Sequence, residues 1–235
     1  TSNGDAVPTW VSGGTATITI SGGTIGIDGD NNGRIFGAGR GAAGVDSYNN
    51  DYTKLTWVNE TNVTVSNNAD IKGCVFGSGD NGHTLHDTHV TVTGGVIGTN
   101  GSTIDGNIFG GGRGQDTYGN TQLLSLTAGK TYGNTHVTMT GGAIKGNLYG
   151  GGNMSTVADT THVTIGGTAQ IGATTYAAGG NVYGASRGQA GKPDYAKVES
   201  TSVTINGSGV NIQNNVFGGG EIGAVDVHLN DSKAG

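Results

Sequence analysis

Three observations predict an all-β chain wound as a single-stranded parallel β-helix. One phrase recurs six times, its apolar residues alternate with period two, and its turns are written in glycine, 49 of 235 residues, with only 2 prolines. The phrase is a Thr-Val alternation, a lone Ile, then Asn-aliphatic-aromatic-Gly, with copies opening at Ala16, Asn62, His89, His136, His162 and Ser202. A meander of hairpins would reverse direction every eight to twelve residues or so. The copies here are much longer than that, which favours strands that return to the same place one level up, stacked at ~4.8 Å. The expected object is a β-solenoid of about six to seven rungs. Its crossovers are expected to be right-handed, the general preference for connections between parallel strands.

Each element follows from side-chain alternation. The first strand places Ile18/Ile20, Val63/Val65, Val90/Val92, Val137/Met139, Val163/Ile165 and Val203/Ile205 on one face, and Thr19, Thr64, Thr91, Thr138, Thr164 and Thr204 on the other. The first set is the expected core. A second inward column is Ile25, Ile71, Ile97, Ile144, Ile171 and Ile212, and a third is Ile35, Val75, Ile108, Leu148, Val182 and Val216. Beside the third runs an aromatic column of Phe36, Phe76, Phe109, Tyr149, Tyr183 and Phe217. Neighbouring strand residues point opposite ways, so either one of these two columns faces out or the chain turns a corner at the glycines that follow. Gly-Gly, Gly-Asn and Asn-Asn pairs are expected to break the strands into short runs.

Long and short copies alternate. Arg40, Arg113 and Arg187 recur in GAGRG, GGGRG and GASRG of the long ones, and each is followed by an insertion. These insertions carry Tyr48, Tyr52, Trp57, Tyr118, Tyr132 and Tyr195. Emerging from every second rung at one corner, they would line up on one side of the rod. Loops on a rigid scaffold are where binding is built, and amphipathic rings suit the faces and hydroxyls of sugars. The six aromatics and the three arginines are therefore the expected ligand-binding set, although the same rings could simply pack the loops down and the arginines could pin loop carbonyls. The repeats occupy residues 15–223, with 1–14 as a lead-in and 224–235 as a terminal strand or tail. Neither end reads as a cap, so the chain is expected to be part of a longer protein.

Other motifs carry less. Asp28, Asp30 and Asn32 stand at alternate positions before Gly33, like the first half of a calcium loop, but Gly39 occupies the place of the closing Glu. Calcium at these three residues is the one cofactor suggested. His83, His86 and His89 with Asp80 and Asp87 could offer metal ligands, but strand alternation sends some of them to opposite faces. Cys74, the single cysteine, stands where other copies carry Arg34 or Asn and has no basic neighbour to activate it. Thr columns joined by His89, His136 and His162 make a hydroxyl-rich stripe, whose imidazoles and uneven repeat lengths do not match an ice lattice.

Net charge is −6 with no basic cluster, which disfavours nucleic acid as a partner, and no apolar run of spanning length occurs, which disfavours membrane insertion. The acidic residues are scattered singly in turns and no nucleophile motif is present, so an enzyme is not expected. The phrases Thr-His-Val-Thr-x-Thr-Gly-Gly and Gly-Asn-x-Tyr/Phe-Gly-Gly-Gly resemble those of right-handed β-helix segments in large repetitive surface proteins and adhesins of bacteria. That resemblance implies an extracellular, cell-surface setting, with glycan or a host surface protein as partner. The competing expectations are a structural spacer and, third, a polysaccharide-cleaving enzyme.

Overall fold

The computed structural model describes residues 14–29, 32–41, 56–99, 102, 104–114, 127–172 and 179–226. The described residues are all-β apart from one 3-10 turn, Pro193–Tyr195. The first copy supplies β1 (Thr15–Ile20), β2 (Thr24–Ile25) and β3 (Ile35–Phe36); the second supplies β4 (Trp57–Val58), β5 (Glu60–Val65), β6 (Asp70–Ile71) and β7 (Val75–Phe76). The third gives β8 (His83–Thr84), β9 (Thr88–Ile97) and β10 (Ile108–Phe109), and the fourth β11 (Thr135–Ile144) and β12 (Leu148–Tyr149). The fifth gives β13 (Val157–Ile165), β14 (Gln170–Ile171) and β15 (Val182–Tyr183), and the sixth β16 (Val198–Ile205), β17 (Asn211–Ile212) and β18 (Val216–Phe217).

Equivalent strands of successive copies pair with one another, in the order β1-β5-β9-β11-β13-β16 in one sheet and β3-β7-β10-β12-β15-β18 in a second. The ladders are parallel and in register: Val63 pairs with Val90, Val90 with Val137, and Val137 with Val163. Like residues therefore stack on like, as the repeated phrase requires. The three aliphatic columns merge into one core, from Ile20 and Ile35 to Ile171 and Val182. At the last copy the equivalent residues open to solvent, with Ile205, Val216 and Phe217 exposed.

Two features depart from the expected pattern. The Gly-Gly pairs do not end the first strand in the third and fourth copies. β9 and β11 run ten residues each, and their register slips around Gly141 while Gly95 and Gly142 take φ of 82° and 77°. A bulge absorbs the extra residue, and glycine accepts the left-handed backbone that a side chain would strain. The second departure is a further ladder, which the repeated phrase does not contain. β4 pairs with β8, and single bridges continue it from Thr84 through Thr131, Val157 and Val198 to Val225.

The aromatic column lies across the second sheet from the main core and forms its own cluster with Cys74. Its six rings stack at centroid spacings of 4.7–4.9 Å with nearly parallel planes. Offset stacking at the interstrand distance adds to the burial of each ring. The glycine after each ring closes the corner. A Cβ on Gly37, Gly77, Gly110, Gly150 or Gly184 would run into the carbonyl oxygen of the next copy's glycine. A threonine column fastens the same corner from inside. The Oγ1 groups of Thr61, Thr88 and Thr135 donate at 2.6 Å to the carbonyls of Gly77, Gly110 and Gly150, each within its own copy. Buried hydrogen bonds of this kind contribute about 1 kcal/mol each.

Candidate functional site

Four residues beyond each stacked ring, the chain carries Arg40, Asp80, Arg113, Asn153, Arg187 and Glu221 in turn. Backbone bridges link each to the next, so cationic positions alternate with acidic or amide ones along one edge. Asp80, with its side chain 7% exposed, is gripped by Arg113 through two bonds of 2.8 Å, and Arg40 approaches it from the other side at 3.6 Å. Arg187 lies 3.4 Å from Glu221, which also accepts the Tyr149 hydroxyl. Burial first, and then this carboxylate, pushes the Tyr149 phenol well above its ordinary pKa, so it remains a donor. Arg113 and Arg187 of the expected binding set thus bridge copies to one another. Their acidic partners were legible in principle, at a constant offset from the ring, but change identity from copy to copy.

The first arginines also line a groove of about 410 Å³ formed by Arg34, Phe36, Arg40, Asp80 and Arg113. Arg113 sits over the Phe36 ring, 5.5 Å from its centroid. Arg34 is committed to the fully buried Asp105 at 2.9 Å, and Arg113 to Asp80. Arg40 differs in that its side chain is 82% exposed, so it presents a guanidinium to whatever enters the groove. Such a fork suits carboxylate or sulfate groups, and the neighbouring aromatic face suits a sugar ring.

Thr56, the residue before Trp57, donates its hydroxyl to the Arg40 carbonyl at 3.3 Å. Pairing of β4 with β8 sets Trp57 on His83, with centroids 4.8 Å apart. Tyr132, from another insertion, comes within 5.9 Å of Trp57, and Lys130 lies over its ring at 4.5 Å. Both aromatics are half-buried while His83 beneath them is fully buried. Two of the expected binding rings therefore meet at one corner. Tyr195 does not join them: it is 7% exposed, at the end of the 3-10 turn. Tyr48, Tyr52 and Tyr118 lie outside the described residues, as does Asp30.

The other candidates resolve as follows. Asp28 accepts the Thr99 hydroxyl at 2.6 Å and faces Lys72 at 3.4 Å. That hydrogen bond, with Lys72 next, holds its carboxyl below the usual range. Asn32, four residues on from Asp28, is half-buried. His83, His86 and His89 differ in exposure, buried, exposed and half-exposed in turn, with His83 on β8 and His89 on β9. Cys74 is buried, and that burial pushes its thiol up to about 12, so at neutral pH it stays an unreactive thiol. It and Arg34 begin a polar column continued by Asn107, Asn147, Asn181 and Asn215, in which each Asn Oδ1 accepts the next backbone N–H at 2.7, 2.9 and 3.2 Å.

Comparison of the chain with family models, curated proteins and solved structures gives no match in any of the three. No helix of the described residues is long and apolar enough to cross a membrane.

Proposed function

We propose that this chain is a non-enzymatic, extracellular, adhesin-type segment. In this reading its parallel sheets close into a right-handed β-helix of about six to seven rungs that holds glycan or a host surface protein on the side where the long turns emerge. The observation that carries the reading is the groove at Arg40, Phe36 and Arg113, an exposed guanidinium and a half-buried ring on a registered β scaffold, with an aromatic pair, Trp57 and Tyr132, formed by two of the insertions. Asp80, the carboxylate lining that groove, is engaged by Arg113, which leaves Arg40 as the more exposed charged group there. The burial of Tyr195 favours the second reading, a spacer whose loops only protect the rod. Polysaccharide cleavage is the third reading, and release of oligosaccharides on incubation with the protein would establish it.

A glycan array separates binding from spacing. The chain is expected to retain acidic glycans, and Arg40→Ala, at an exposed side chain, is expected to weaken retention about tenfold or more while leaving the thermal melt unchanged. The combined Tyr52→Ala, Trp57→Ala, Tyr118→Ala variant should bind more weakly as well. Absence of binding by the parent chain, or full binding by both variants, favours the spacer.

A further inference from the structure

The outer face of the first sheet carries a second, independent constellation, on the side where Thr19 and its equivalents point. His89, His136 and His162 stack on one another at 4.7 and 4.8 Å with planes within 6°. Two positions before this column the chain carries Glu60 ahead of Asn62, Asp87 ahead of His89, Asn134 ahead of His136 and Thr160 ahead of His162. Two of the three imidazoles, His89 and His136, approach an acid of the copy before them. His136 Nε2 lies 3.5 Å from Asp87 Oδ2, and His89 Nε2 lies 3.9 Å from Glu60 Oε1.

We propose that Asp87, His89 and His136, with Glu60 at the margin, form a binding site for a divalent transition-metal ion of the zinc class. The ligand atoms of Asp87, His89 and His136 all lie within 4.8 Å of one another. Zinc binds imidazole nitrogen and carboxylate oxygen at about 2.0–2.2 Å, so donors around one ion sit roughly 3–4 Å apart. Because the two rings are stacked with their planes within 6°, their nitrogens converge on one ion only if these half-exposed side chains turn out of the stack.

Three features distinguish this constellation from a chance cluster. The two histidines are register partners on β9 and β11, adjacent strands whose backbones fix their spacing. Asp87 is already oriented: its Oδ1 accepts the Asn134 backbone N–H at 2.8 Å and the Asn134 side chain at 3.2 Å, leaving Oδ2 directed at His136. Outer contacts of this kind aim metal-binding carboxylates. Gly133 permits that approach, because a Cβ there would meet both Asp87 Oδ1 and the His86 backbone. The site also has a boundary. The acidic column ends at Asp87, its next members being Asn134 and Thr160, so His162 stacks on the cluster without a carboxylate of its own. Imidazole together with carboxylate is the donor set suited to zinc, and an ion here would tie neighbouring copies together across the exposed face.

Calorimetric titration of the tag-free, chelator-treated chain with zinc chloride tests the assignment, with thermal melts run alongside. One zinc per chain is expected, with a melting temperature that rises on addition of zinc. His136→Ala and Asp87→Asn should each weaken binding by about tenfold or more while the metal-free melts stay close to the parent's. His86→Ala, at an exposed histidine outside the cluster, should bind as the parent does. Absence of saturable binding by the parent chain would overturn the site. So would equal losses in His86→Ala and His136→Ala, or parent-like binding by both Asp87→Asn and Glu60→Gln.

Discussion

Phe109→Ala is expected to destabilise the chain by about 3–5 kcal/mol, measured by chemical denaturation, because it removes the middle of a continuous ring column. Phe109 is 1% exposed and stacks on Phe76 at 4.8 Å and on Tyr149 at 4.7 Å. Deleting it leaves a ring-shaped void whose walls are two flat aromatic faces, and the neighbouring copies cannot move together to fill it. Their spacing is set by the backbone ladders and by the glycine corner at Gly110, whose carbonyl is bound by Thr88. Thr91→Ala, on the outer face of the adjoining sheet, provides the comparison. Its side chain is half-exposed, and its loss should cost under about 0.5 kcal/mol. A larger loss from Thr91 than from Phe109 would mean that the ring column is not an interior.

Arg113→Met should cost about 2–3 kcal/mol, although methionine preserves most of the apolar stem. Asp80 is 7% exposed and receives both of its short bonds from this guanidinium. Removing one partner of a buried ion pair leaves the other desolvated and under-compensated, the costly half of the asymmetry in such pairs. Arg40 remains at 3.6 Å, but at 82% exposure it is screened by solvent and compensates only in part. Arg40→Met should accordingly change stability little. Equal effects of the two substitutions would contradict the division of roles drawn here, in which Arg113 joins copies and Arg40 faces the groove.

Much of this was legible because the apolar columns are repetitive. Val63, Val90 and Val137 recur in the same words, and the ladders place them in register. The side on which the rings lie was harder to read, since a two-residue strand such as Ile108–Phe109 offers one apolar residue to each face and both are buried here. Polar columns escaped for a different reason. Asp80 and Glu221 fill slots that Asn153 shares, so the pattern is one of complementary charge rather than of identity. The Asp87–His136 contact depends on which residues meet across a 49-residue gap, with an insertion of irregular length between them, and no spacing rule within one copy predicts it. Of the expected binding residues, Arg40 and Arg113 meet at a groove and Trp57 meets Tyr132, while Tyr195 is turned inward.

Paired cysteines on the outer face test the stacking itself. Thr91 and Thr138 are register partners on adjacent strands, and neighbouring parallel strands lie about 4.8 Å apart, within the span a disulfide bridges. Thr91 and Thr164 are separated by two such steps, beyond that span of roughly 7 Å. Cys74 is buried and does not compete. Under mild oxidation the Thr91→Cys, Thr138→Cys chain is expected to form an intramolecular disulfide readily, and the Thr91→Cys, Thr164→Cys chain is not. Efficient closure of the second pair and none of the first would show that the copies are not stacked in this register, and the columns described here would not exist.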